Sequence, residues 1–137
     1  MLDHISIAVK EYTKALEFYD ATLATLNYKR IMSFDLPYYR GAGYGIDNQP
    51  QFWLTDADTI QGDDSSIKGK GFHVAFKAAS VEQVNAWYEK CIEMGGTCNG
   101  KPGPRALYHP GYYGAFIIDP NGHHIEAVIH HYNAADA

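Results

Sequence analysis

The chain has 137 residues, a formal net charge of −5, and a composition 46% hydrophobic and 14% aromatic. That much apolar material excludes general disorder, and an acidic balance with no basic run speaks against nucleic acid as the partner. No apolar stretch reaches the roughly 18–20 residues that span a bilayer, and the first residues lack a signal-peptide pattern. The cysteines, Cys91 and Cys98, form neither a disulfide framework nor a zinc knuckle. A cytoplasmic protein with no membrane partner is expected, and its seven histidines are the oddity to explain.

Leu2 to Val9 alternates apolar and polar residues, as a half-buried strand does. Ala15, Phe18, Tyr19, Thr22, Leu23 and Leu26 then recur at helical spacing. Three short strands are predicted next, at Tyr28–Phe34, Gly43–Ile46 and Gln51–Thr55. Asp56 to Lys70, rich in Asp, Ser, Gly and Lys, reads as a polar linker. A further strand is predicted at Gly71–Lys77. Ser80 and Gln83 then form a capping box ahead of the apolar stripe Val84, Trp87, Tyr88, Cys91 and Ile92. Gly95-Gly96 stops that helix. Strands follow at Thr97–Gly100, Gly114–Ile118 and His124–His130, the last two separated by the turn Asp119-Pro120-Asn121-Gly122. Asn133 to Ala137 reads as a frayed tail.

The two halves repeat. An offset of 69 carries His4 onto His73, Phe18-Tyr19 onto Trp87-Tyr88, Leu23 onto Ile92, and Tyr44-Gly45 onto Tyr113-Gly114. The expectation is an α+β protein of two tandem βαβββ modules forming a curved mixed sheet around a metal or ligand cavity. The modules run over 1–57 and 71–132, with a linker at 58–70 and a tail at 133–137.

Equal positions on duplicated strands mean that pseudo-twofold packing would bring His4 and His73 together. The strand His124-Ile125-Glu126 offers a carboxylate with apolar neighbours on the opposite face. Two histidines and one carboxylate converging in an apolar cavity would hold a divalent metal on one side and leave open positions.

On Asp3–Val9, Phe18-Tyr19, Gly71–Phe76 and Asp119–Glu126 the chain resembles the vicinal oxygen chelate superfamily of glyoxalases, extradiol dioxygenases, epimerases and antibiotic-resistance proteins. The resemblance implies a divalent metal (Fe, Mn, Zn or Ni) held by His4, His73 and Glu126. Glyoxalase-type members add a fourth ligand from the last strand of the first module. Aligning Gln51-Phe52-Trp53-Leu54 with His124-Ile125-Glu126-Ala127 puts Trp53 there, and indole has no lone pair to give a metal. Gln51, two residues away, is the alternative.

The shared chemistry is chelation of two neighbouring oxygens of a small molecule, with a developing enolate stabilised or dioxygen activated. His109 and His124 are candidate proton-transfer groups. Tyr113 and its repeat partner Tyr44 are candidate donors to substrate, Gln51 is a further candidate substrate-binding residue, and Trp53 is a pocket wall. His123, His130 and His131 read as surface residues. A metalloenzyme is the leading reading. The alternative is a resistance-protein-like binder that sequesters its ligand without catalysis. A homodimer is expected, with the site built within one chain or shared between two.

Overall fold

The computed structural model of the chain describes residues 1–63 and 67–136. The middle of the predicted linker and the last residue of the predicted tail lie outside the described residues. The first module runs β1 (Ile5–Val9), α1 (Tyr12–Ala24), β2 (Lys29–Leu36), β3 (Tyr39–Ile46) and β4 (Gln49–Asp56). The second runs β5 (His73–Lys77), α2 (Val81–Glu93), β6 (Thr97–Pro104), β7 (Tyr113–Ile118) and β8 (His124–Ile129). Each module closes its own four-stranded mixed sheet, in the orders β1-β4-β3-β2 and β5-β8-β7-β6. The first strand of each is parallel to the last, and the other pairs are antiparallel. This is the expected α+β pair of βαβββ modules, as two curved sheets rather than one continuous sheet. Among the described residues no helix is long and apolar enough to cross a membrane.

Local chemistry explains the helix ends. The Ser80 side chain accepts from the backbone N–H of Gln83 at 3.1 Å, and Gln83 Oε1 accepts from the N–H of Ala79 at 2.8 Å. These bonds satisfy donors that the first helical turn leaves unpaired. Gly95, at φ 98°, supplies the left-handed stop. Only Val84, Trp87 and Cys91 of the α2 stripe are buried. Tyr88 is half-buried and Ile92 exposed, because the helix meets its sheet along a narrow seam. The tail, expected to fray, makes a short 3-10 turn over Ala134–Asp136, with the Asn133 side chain accepting from the N–H of Ala135.

One core serves both modules. Phe52 of β4 meets Phe76 of β5 edge-to-face with ring centroids 5.0 Å apart, and Tyr19 of α1 packs on both rings. The Tyr19 hydroxyl donates to Asp119 across the module boundary at 2.6 Å. Strand parity then divides each sheet into a helix-covered face and an open one. The helix-covered face of the second sheet carries Phe76, Tyr113, Ala115, Ile117, Ile125, Ala127 and Ile129, all buried.

Strand register corrects one internal correspondence. Tyr44 pairs with Phe52, whereas Tyr113 pairs with Ile129, so the two tyrosines are not structural equivalents. Gly43 opposite Trp53 matches Phe116 opposite Glu126, and Gly41 opposite Thr55 matches Gly114 opposite Val128. The offset is 69 up to the helices and 73 in the last two strands. The longer connection at 105–112, against 37–38 in the first module, absorbs the difference.

Candidate functional site

The open face of the second sheet carries a buried carboxylate. Glu126 lies in the middle of β8 between Ala75 of β5 and Phe116 of β7, and is 1% exposed. A buried charge needs partners. His73, the first residue of β5, stands with Nε2 at 3.1 Å from Glu126 Oε1, and the Tyr112 hydroxyl donates to Oε2 in a short hydrogen bond. Tyr112 reaches the carboxylate because Gly114 leaves room: a Cβ there would stand 3.0 Å from Glu126 Oε2 and 3.1 Å from the Tyr112 ring. Burial, and then the bond to Glu126, push the Tyr112 hydroxyl far above its ordinary pKa, so it remains a donor at neutral pH. His124 sits in register with His73 on the same face, and its Nδ1 lies 3.4 Å from the Asn99 side-chain nitrogen.

His4 precedes β1 on the first sheet. Its Nδ1 lies 2.5 Å from Asp3 Oδ1, and it lines a groove of about 770 Å3 with Gln51 and Trp53. Ser6 pairs with Trp53 as Ala75 pairs with Glu126, so Trp53 holds in the first sheet the position Glu126 holds in the second. The structure brings His73 and Glu126 together and leaves His4 with the other sheet. Among the described residues no group of three or more His, Cys, Asp or Glu is placed to hold a metal.

The other candidates fall in different places. Tyr113 is buried on the helix-covered face and donates to Asn85 at 2.8 Å. Tyr44 is also buried, donates to Asp20 at 2.8 Å, and lines a smaller cavity of about 260 Å3 together with His4, Gln51 and residues of β5. Both hydroxyls are committed to structure. His109 accepts the N–H of Gly111 on Nδ1 at 3.1 Å and faces His130 Nδ1 through Nε2 at 2.9 Å. Its lone pair is therefore engaged, and it touches Tyr112 only through ring contact. His123, expected at the surface, is 2% exposed, with Nδ1 3.5 Å from the Asp119 carboxylate. The tight 119–122 turn folds it inward.

Sequence reasoning passed over Tyr112 in favour of its neighbour. Alternation held the signal: Tyr113, Ala115 and Ile117 form the apolar set, which puts Tyr112, Gly114 and Phe116 on the other face.

The family model for the Glyoxalase/Bleomycin resistance protein/Dioxygenase superfamily matches residues 1–127. The chain belongs to this superfamily. No curated protein matches it closely enough to report. Among solved structures, a glyoxalase/bleomycin resistance protein from Albidiferax ferrireducens is 29% identical, with a TM-score of 0.75 over 92% of this chain and 96% of that one. A glyoxalase-related enzyme from Fulvimarina pelagi is 16% identical, with a TM-score of 0.69 over 93% of this chain and 86% of that one. Glyoxalase I from Zea mays is 22% identical, with a TM-score of 0.65 over 93% of this chain and 45% of that one. The last two share the fold. The resemblance implies a divalent metal, and the donor chemistry here can be tested against that expectation. His73 Nε2 and Glu126 Oε1 stand at a hydrogen-bond distance of 3.1 Å, and they set an imidazole nitrogen beside a carboxylate oxygen, two donor types that divalent metals take.

Proposed function

We propose that this superfamily member is a divalent-metal enzyme acting on a small molecule through two neighbouring oxygens, with His73 and Glu126 of one chain and His4 of a second copy as protein ligands. The observation that carries this reading is the pairing of His73 with a buried Glu126 on an open face. His4 stands at the repeat-related position on the other module. A homodimer in which the first module of one copy faces the second module of the other completes the set twice per dimer. The metal, when bound, would act as a Lewis acid on the chelated oxygens; iron, manganese, zinc and nickel all suit this mixed nitrogen and oxygen set.

The chain's own residues do the remaining work. Tyr112 fixes one Glu126 oxygen and leaves the other turned toward His73, which orients the carboxylate as a supporting shell does. His124, beside His73 on the adjacent strand, is the proton-transfer group nearest in register. Phe116 packs edge-on near His73, with ring centroids 6.4 Å apart, and supports the imidazole from that side.

Mixing variants tests the shared site. His4→Ala and Glu126→Ala chains should each fail to retain manganese or zinc after dialysis. Unfolded and refolded together in equal amounts, they should regain about a quarter of the wild-type metal, because half the dimers are mixed and each has one intact site. Metal content after refolding reads the result. No recovery in the mixture, or undiminished metal in either single variant, overturns the proposal.

A further inference from the structure

The pseudo-symmetry that builds the Glu126 half-site builds something different on the first sheet. Tyr112, Gly114 and Glu126 correspond by register to Tyr39, Gly41 and Trp53. An indole stands where the carboxylate would be. Two glycines let the rings lie down: a Cβ on Gly43 would meet the Trp53 six-membered ring at 2.8 Å, and one on Gly41 would run into the Tyr39 ring. Phe34 stacks on Trp53 at 5.9 Å and 21°, and touches Tyr39 at 5.8 Å. Phe34 is nevertheless 40% exposed, and Trp53 and Tyr39 are only half-buried. The rings line the same groove as His4 and Gln51, which supply polar atoms among the aromatic walls.

We infer that the open face of the first sheet is a stacking platform, made by Trp53, Phe34 and Tyr39 over Gly41 and Gly43, for a planar conjugated ring on the oxygen-bearing ligand. Rings laid flat on a sheet present π faces, and a planar π partner matches such faces by offset stacking. The groove volume suits a small organic molecule, within the usual few hundred to a thousand Å3. The ring end lies on the aromatics and the oxygen end points toward His4. The orientation rests on the proposed shared metal site, whereas the platform lies wholly within one module.

Two hydroxamates with the same chelating head separate these ideas. Benzohydroxamate carries a phenyl ring where acetohydroxamate carries a methyl group. Calorimetric titration of the full-length protein, with and without manganese(II), should show benzohydroxamate binding about tenfold tighter. In Trp53→Leu, and separately in the more exposed Phe34→Ala, the preference should fall below about threefold while acetohydroxamate affinity stays unchanged. Equal affinities in the wild type, no benzohydroxamate binding at millimolar concentration, or a preference untouched by both substitutions overturns the platform. If manganese does not strengthen acetohydroxamate binding but the ring preference persists, the metal reading fails and the platform stands.

Discussion

Glu126 is a carboxylate taken out of water and held by a tyrosine hydroxyl and an imidazole. Removing the hydroxyl leaves one oxygen without its donor, and a buried acceptor so stranded costs about 1–3 kcal/mol. Tyr112→Phe should therefore lower the urea stability of the metal-free protein by that amount. Leu107, 93% exposed on the connection that carries Tyr112, should tolerate replacement by Ala within about 0.5 kcal/mol. Equal losses in the two variants would contradict this assignment of Tyr112. His73 stood out in the sequence as a repeat-matched histidine and Glu126 as a strand-central carboxylate, and the fold pairs the two. Tyr112 did not stand out, because adjacent tyrosines look alike until the register of β7 on β8 decides which one faces inward.

The modules are tied together by elements as well as by core packing. Asp119, at the end of β7, accepts the Tyr19 hydroxyl of α1 at 2.6 Å and the backbone N–H groups of Asn121 and His123, each at 2.9 Å. Burial alone would raise its pKa, but His123 and the Tyr19 hydroxyl outweigh burial and hold it below the ordinary carboxylate range. The folded state thus binds fewer protons than the unfolded chain near pH 4, and stability rises with pH through that window. Asp119→Asn should destabilise the protein by about 1–3 kcal/mol at neutral pH. The difference from wild type should shrink as pH falls through and below the ordinary carboxylate range. Urea midpoints across that range check the sign, and a gap that widens in acid would refute it. The turn sequence announced this corner, while the contact with α1, 100 residues away, had no local signature.

At the scale of the whole molecule, each sheet has one face closed by helix and core and one face open. The open faces hold His73, Glu126 and Trp53 and exposed apolar side chains such as Met32 and Phe34. If the ligands of one metal come from two copies, metal and self-association are linked, and each strengthens the other. Sedimentation at low protein concentration should show manganese shifting the population toward dimer. Metal affinity should weaken on dilution in the wild type. A dimer indifferent to metal, together with an affinity indifferent to dilution, would refute the shared site.

The sequence by itself determined the duplication, the order of elements, the capped second helix and the family, because these rest on local periodicity and short motifs. It also placed Trp53 at the position of the first module that corresponds to Glu126, since the two strands align by their alternation. Only the tertiary structure decided which of two neighbouring tyrosines meets the carboxylate, that Tyr44 and Tyr113 are structural, and that His4 lies apart from His73 and Glu126 within one chain. The reason is physical. Alternation names the two faces of a strand, but which face meets the core depends on inter-strand register, a longer connection in the second module, and packing between modules distant in sequence.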